Sequence, residues 1–128
     1  MRDFGLSILD RSVANSDIFY NVKPTKEVVV TVAKPANVTE LKRGTVLGIT
    51  TATGKAGQFD SASSTGLQNV AGVLGETITF GTNTEETTFM YVDGEFLWEA
   101  LSAKDGVTIP TGTINNGLLI FKKGALSD

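Results

Sequence analysis

The stretch Thr87-Thr88-Phe89-Met90-Tyr91-Val92-Asp93-Gly94-Glu95-Phe96-Leu97-Trp98 decides the fold class. As a strand it puts Phe89 and Tyr91 on one face and Met90 and Val92 on the other. Asp93-Gly94 is the pair that a tight type I′ turn favours, because both of its central residues need positive φ. The segment therefore predicts a hairpin. A second reading stands for residues 95–103: Leu97, Trp98 and Leu101 recur at helical spacing, which would make a short helix ending at Gly106. The residues leave both readings open.

Upstream, Val28-Val29-Val30-Thr31-Val32 is a β-branched run that suits a buried strand and suits a helix poorly, since branching at Cβ restricts χ1 in a helix. Pro35 ends it. Thr39-Glu40-Leu41-Lys42-Arg43-Gly44 leads through a glycine turn into Thr45-Val46-Leu47-Gly48-Ile49-Thr50, a second strand. Residues 51–69 are rich in Thr, Ser, Gly, Ala and Asp and read as a surface excursion around a short strand near residues 55–59, anchored by Phe59 and Leu67. Val70-Ala71-Gly72-Val73-Leu74 and Thr77-Ile78-Thr79-Phe80 restore strand patterns. Residues 81–86 make a polar turn. Downstream, Asn115-Asn116-Gly117 turns into a closing strand, Leu118-Leu119-Ile120-Phe121, followed by Lys122 and Lys123. Short strands separated by glycine turns predict a mainly β chain: a small β-barrel or β-sandwich-like domain with at most one short helix, preceded by an extended N-terminal arm.

That arm is residues 1–27, and the β-rich domain is residues 28–128. The first 27 residues show little sustained periodicity. Phe4, Leu6 and Ile8 alternate with Gly5 and Ser7, as in a strand with one apolar face, and Ile18-Phe19-Tyr20 form a second apolar patch. Such a strand can pair with a partner.

At 128 residues the chain fits one domain with an ordinary core, and its 41% hydrophobic and 20% charged residues are those of a folded protein. Mean hydropathy is near zero. No window approaches the roughly 18 consecutive apolar residues of a membrane helix. Asp3 and Asp10 bracket the opening apolar residues, which leaves no signal-peptide core, so the expectation is a soluble protein made inside the cell. The chain has no Cys, hence no disulfide and no thiolate nucleophile, and no His, the side chain most used for proton transfer near neutral pH and for binding metals. Catalysis is disfavoured on that ground.

The net charge of −3 is unevenly spread. Residues 1–43 carry seven Lys/Arg against five Asp/Glu, residues 44–121 two against eight, and residues 122–128 two against one. An acidic body without interleaved basic and aromatic residues does not suit nucleic acid. A mildly basic leading segment suits an acidic partner, and scattered solvated charge accounts for it equally well.

Each candidate for chemistry has a plainer counterpart. Thr51-Ala52-Thr53-Gly54-Lys55 lacks the flanking residues of a phosphate loop and reads as a turn. Glu95 and Glu99 could face each other across a sugar as a hydrolase pair, yet acids at this spacing are usually just solvated. The same holds for Glu85 and Glu86. Asp60, Asp93 and Asp105 lack calcium-loop spacing and read as turn formers. Trp98 with Phe96 could form an exposed platform of a stand-alone β-barrel binding module for sugar or peptide, though a lone Trp is more often core.

From Leu41 onward the chain resembles the head decoration proteins of tailed bacteriophages, the lambda-type capsid cement family. Leu41-Lys42-Arg43-Gly44-Thr45-Val46-Leu47-Gly48, then Ala71-Gly72-Val73-Leu74, then residues 87–98 carry the resemblance, through their order and spacing over roughly residues 41–101. It implies a mixed β-rich fold that forms a homotrimer on the outside of an expanded icosahedral shell and braces neighbouring copies of the major capsid protein. It implies no enzyme, cofactor, metal, nucleic acid or membrane. The place implied is the outer capsid surface of the virion, after synthesis in the host cytoplasm. In that family an N-terminal arm orders on the capsid, and Phe4, Leu6, Ile8, Ile18, Phe19 and Tyr20 match such an arm by character. The chain after Trp98 departs from the family pattern, so the resemblance does not extend to the C-terminal topology.

Overall fold

A computed structural model describes residues 18–20, 26–114 and 118–123. Its strands are β1 (Lys26–Ala33), β2 (Glu40–Leu41), β3 (Val46–Ile49), β4 (Ala56–Gln58), β5 (Gly72–Leu74), β6 (Ile78–Thr79), β7 (Glu85–Leu97), β8 (Gly112–Ile114) and β9 (Leu119–Lys122). Five of them close into a mixed barrel in the order β1, β4, β3, β5, β7, with β7 returning to β1. The long seam is antiparallel and runs from Lys26 opposite Asp93 to Ala33 opposite Glu85. The closing contact is brief and parallel, Val32 opposite Ala56. Strands β2 and β6 form a separate two-stranded ribbon.

The apolar runs of β3 and β5 have a physical reason: Val46, Leu47, Val73 and Leu74 are all buried, so these strands leave neither face to polar residues, whereas Val29 of β1 is 79% exposed. Val30, Val32, Leu47, Ala56, Leu74 and Met90 fill one core with Leu41, Ile78 and Phe80. The alternate residues Val46, Val73 and Tyr91 turn to a second core with Phe59, Phe96, Leu101, Ile109, Leu119 and Phe121. Neighbours along one strand thus serve different cores. The excursion at 51–69 is held as its anchors predict, with Phe59 4% exposed. Gly48 lets it lie flat on β3, because a Cβ there would stand 2.8 Å from the Leu67 Cα and 2.9 Å from the Asn69 carbonyl oxygen.

The hairpin at Asp93-Gly94 does not form. The 13 residues of β7 run straight through it. Gly94 adopts φ 138, which turns the chain without reversing it. Before this point β7 pairs with β1 and β5; after it, Gly94 to Leu97 pair in parallel with Leu119 to Lys122 of β9, and β8 adds to β9. The Gly94 N–H donates to the Leu118 carbonyl at 2.9 Å. The strand exchanges sheets instead of folding back, and the exchange buries Phe96, Leu119 and Phe121 completely.

The helical alternative for residues 95–103 reduces to one 3-10 turn, Trp98–Ala100. The segment after it is drawn into the barrel mouth: Val46 N–H donates to the Ser102 carbonyl at 2.8 Å, and Ser102 N–H to the Gly44 carbonyl at 3.1 Å. Those bonds require extended backbone. The architecture is therefore a five-stranded barrel with added strands, not a sandwich.

Candidate functional site

Phe4, Leu6 and Ile8 lie outside the described residues. Ile18, Phe19 and Tyr20 are seated on the body. Phe19 forms an antiparallel bridge with Phe96. The Tyr20 N–H donates to the Glu95 carbonyl at 3.0 Å, and the Leu97 N–H donates to the Ile18 carbonyl at 2.8 Å. These three residues thus form a single antiparallel bridge beside the β7 segment that leaves the barrel.

Each side chain has its own socket. Ile18 is 2% exposed and belongs to the second core, against Gly44, where a Cβ would stand 3.0 Å from the Ile18 Cγ2. The Phe19 ring stacks on Phe96 at 5.1 Å and meets the edge of Tyr91 at 5.1 Å. The Arg43 guanidinium lies 5.9 Å from the Phe19 ring centre and 5.7 Å from that of Tyr91. Its Nη1 donates to the Gly75 carbonyl at 2.6 Å and to the Tyr91 hydroxyl at 3.3 Å, which fixes the cation over the rings. Tyr20 is 38% exposed, and the Lys122 ammonium lies 4.9 Å from its ring.

The structure therefore divides the six arm candidates. Ile18 is buried in the body and Phe19 is half-buried against it. Tyr20 remains partly available. Reading the sequence missed Arg43, Tyr91, Phe96 and Lys122 as the residues that seat them. No local signal marks these partners, since each lies far along the chain.

The other candidates resolve into structure. Phe96 is 0% exposed, which removes half of the proposed platform. The Trp98 Nε1 donates to the Ile109 carbonyl at 2.8 Å, and the Lys123 ammonium lies 5.0 Å from its ring. Lys55 and Thr50 close a turn through the Thr50 N–H to the Lys55 carbonyl. Among the described residues no group of three or more His, Cys, Asp or Glu could hold a metal ion. Among them, too, no helix is long and apolar enough to cross a membrane.

A surface groove of about 560 Å³ runs between the chain after β1 and the excursion, lined by Lys34, Pro35, Gln58, Asp60, Leu67 and Lys104 among others. At one end Lys104 Nζ donates to Asp60 Oδ2 at 3.1 Å, and the Ala62 N–H donates to Asp60 Oδ1 at 3.0 Å. The Lys104 hydrogen bond, then the Ala62 N–H, hold the Asp60 carboxyl below the usual aspartate range. Replacing Lys104 by Met should move the Asp60 titration upward, as read from its side-chain carbonyl resonance against pH. A lowered folded-state value means that this contact supports the fold above the ordinary aspartate range and fades as pH falls through the lowered value. The pair is exposed, so its effect on stability is small.

The family whose model matches the chain is described as Bacteriophage lambda head decoration protein D, and the match covers residues 12–121. It takes in residues 18–20 and the whole barrel. No curated protein matches the chain.

Proposed function

The chain belongs to the bacteriophage lambda head decoration protein D family, and from that premise we propose that it binds the outside of an icosahedral shell as a homotrimer and stabilises the expanded form. The family is structural and not enzymatic, and membership makes this a phage capsid decoration protein of the virion surface. Trimerisation, the bracing of the major capsid protein and the use of residues 1–17 as a gripping arm are the proposed steps. The family match over residues 12–121 carries the reading.

Physical features support it. Strand addition supplies main-chain hydrogen bonds with little demand on side chains, and repetition over a closed shell multiplies moderate contacts. Phe4, Leu6 and Ile8 have the alternation this needs. Self-association is favoured at β1, which meets β4 only at Val32 and leaves Val29 79% exposed within an apolar strand. Open apolar edges of this kind are normally covered.

Because Ile18 and Phe19 belong to the body, the informative truncation stops at residue 17. Removing residues 1–17 should leave a folded protein of unchanged oligomeric state that binds expanded shells about tenfold more weakly or worse. Undiminished binding without those residues would sink the arm mechanism. Sedimentation equilibrium tests the trimer: a monomer both free at high concentration and on the shell would rule it out.

A further inference from the structure

We propose that the seat of residues 18–20 is a peptide-binding site in its own right, which accepts an extended segment of the pattern apolar–aromatic–aromatic and is closed here by the chain's own Ile18-Phe19-Tyr20. Such a site is built from the body alone and stands whether or not residues 1–17 grip a shell. The Gly94 N–H and the parallel ladder to β9 occupy one side of the β7 tail. The Glu95 carbonyl and the Leu97 N–H point to the other side, where they bond the Tyr20 N–H and the Ile18 carbonyl. A main-chain acceptor and donor so placed hold an extended segment of any sequence. The side chains decide which sequence. At the first position Ile18 is 2% exposed in the second core, over Gly44, where a Cβ would stand 3.0 Å from the Ile18 Cγ2 and 3.1 Å from the Ala100 carbonyl oxygen. A polar side chain there would be buried at a cost, so the position takes an apolar one. At the second, the face of Phe96, the edge of Tyr91 and the Arg43 cation converge on one ring, and only an aromatic side chain answers all three. At the third, Lys122 lies over a ring that is 38% exposed, a weaker preference for an aromatic.

The sockets are held by contacts that do not pass through their occupant. Arg43 Nη1 is tied to the Gly75 carbonyl and the Tyr91 hydroxyl, Phe96 packs edge-on to Phe121 at 6.0 Å, and Gly44 is fixed by its N–H to the Leu74 carbonyl and by the Ser102 N–H to its own carbonyl. A site organised before its ligand arrives loses little to ordering when it binds. The segment in cis is present at a high effective concentration, so a separate peptide competes only when that segment is weakened. Residues 18–20 therefore act as a built-in competitor for the site they fill.

The test uses the full chain and a capped synthetic peptide, Asp17-Ile18-Phe19-Tyr20-Asn21. In the acceptor variant Ile18→Ala/Phe19→Ala, the peptide should shift the Leu97 amide resonance saturably, with a Kd on the order of 1 mM, and slow hydrogen exchange at that amide about tenfold. The unmutated chain should bind it at least about tenfold more weakly, because the cis segment competes. A peptide with Ala at the Phe19 position should not bind at the same concentrations, and adding Arg43→Met to the acceptor should weaken binding roughly fivefold. Tyr20→Pro is a second acceptor that leaves the core intact, since it removes only the N–H given to Glu95 and the ring beside Lys122. It decides the matter if the double variant loses protection of the amides between β1 and β7. No saturable shift at Leu97 in an acceptor whose β1–β7 amides stay protected would overturn the site. So would equal binding of the intact and the ring-less peptide, which would mean adhesion without recognition.

Discussion

Alanine at Gly66 should lower the unfolding free energy by about 3–5 kcal/mol, from backbone strain and overpacking together. Gly66 has φ +120, a conformation in which an L side chain is strained. A Cβ there would also overlap the Ile49 carbonyl oxygen and stand 2.8 Å from Thr51 Oγ1 and 2.9 Å from the Thr51 backbone nitrogen. Those neighbours cannot step aside, because the Thr51 N–H is bonded to the Thr65 carbonyl and the Gly66 N–H to Gln68 Oε1, both at 2.8 Å. The excursion would have to lift from the end of β3. Gly54 is the control. Its φ is +73 with nothing within 4 Å of a Cβ, so alanine there meets only the left-handed penalty of about 1–2 kcal/mol. Urea unfolding at one fixed protein concentration should separate the two variants, the fixed concentration being needed because association shifts apparent stability. Equal midpoints would show that the excursion yields at no cost.

Phe96→Ala should destabilise by about 3–5 kcal/mol, the usual range for emptying a buried aromatic site. Phe96 is 0% exposed at the centre of a ring cluster, stacked on Phe19, 6.1 Å from Tyr91, and edge-on to Phe121 at 6.0 Å. The neighbours come from residues 18–20, β7 and β9, so collapse into the space would have to move all three at once. The loss should also open the seat of Phe19, making exchange at the Leu97 amide faster than the fall in global stability accounts for. A drop in urea midpoint with an unchanged slope would place the effect in the folded state. A cost below about 1 kcal/mol, the range of a surface change, would mean that Phe96 is not the keystone of the second core.

How much of this was legible in the chain differs from segment to segment. The β-branched run at Val28 to Val32 announces β1, because β-branched residues suit strands in any protein. The strands at Val46, Ala56, Gly72, Ile78 and Leu119 were legible from alternation and turn residues in the same way. Strands β2 and β8 were not, being two and three residues long, too short for a period to show. At the root, the apolar character of Ile18, Phe19 and Tyr20 was visible, but it was compatible with a free arm. What places them on the body is a set of partners between 24 and 102 positions away in sequence, from Arg43 to Lys122.

By itself the sequence determined the β class, the resemblance carried by residues 41–101 and the lack of His and Cys. Only the tertiary structure decided that Asp93-Gly94 carries β7 from one sheet to the next, and that residues 18–20 belong to the body. The reason is one of energy and range. A turn signal reports a local backbone preference on the order of 1 kcal/mol. Burying Phe96, Leu119 and Phe121 gains roughly 1.5–3 kcal/mol apiece and depends on residues that meet only once the chain has folded.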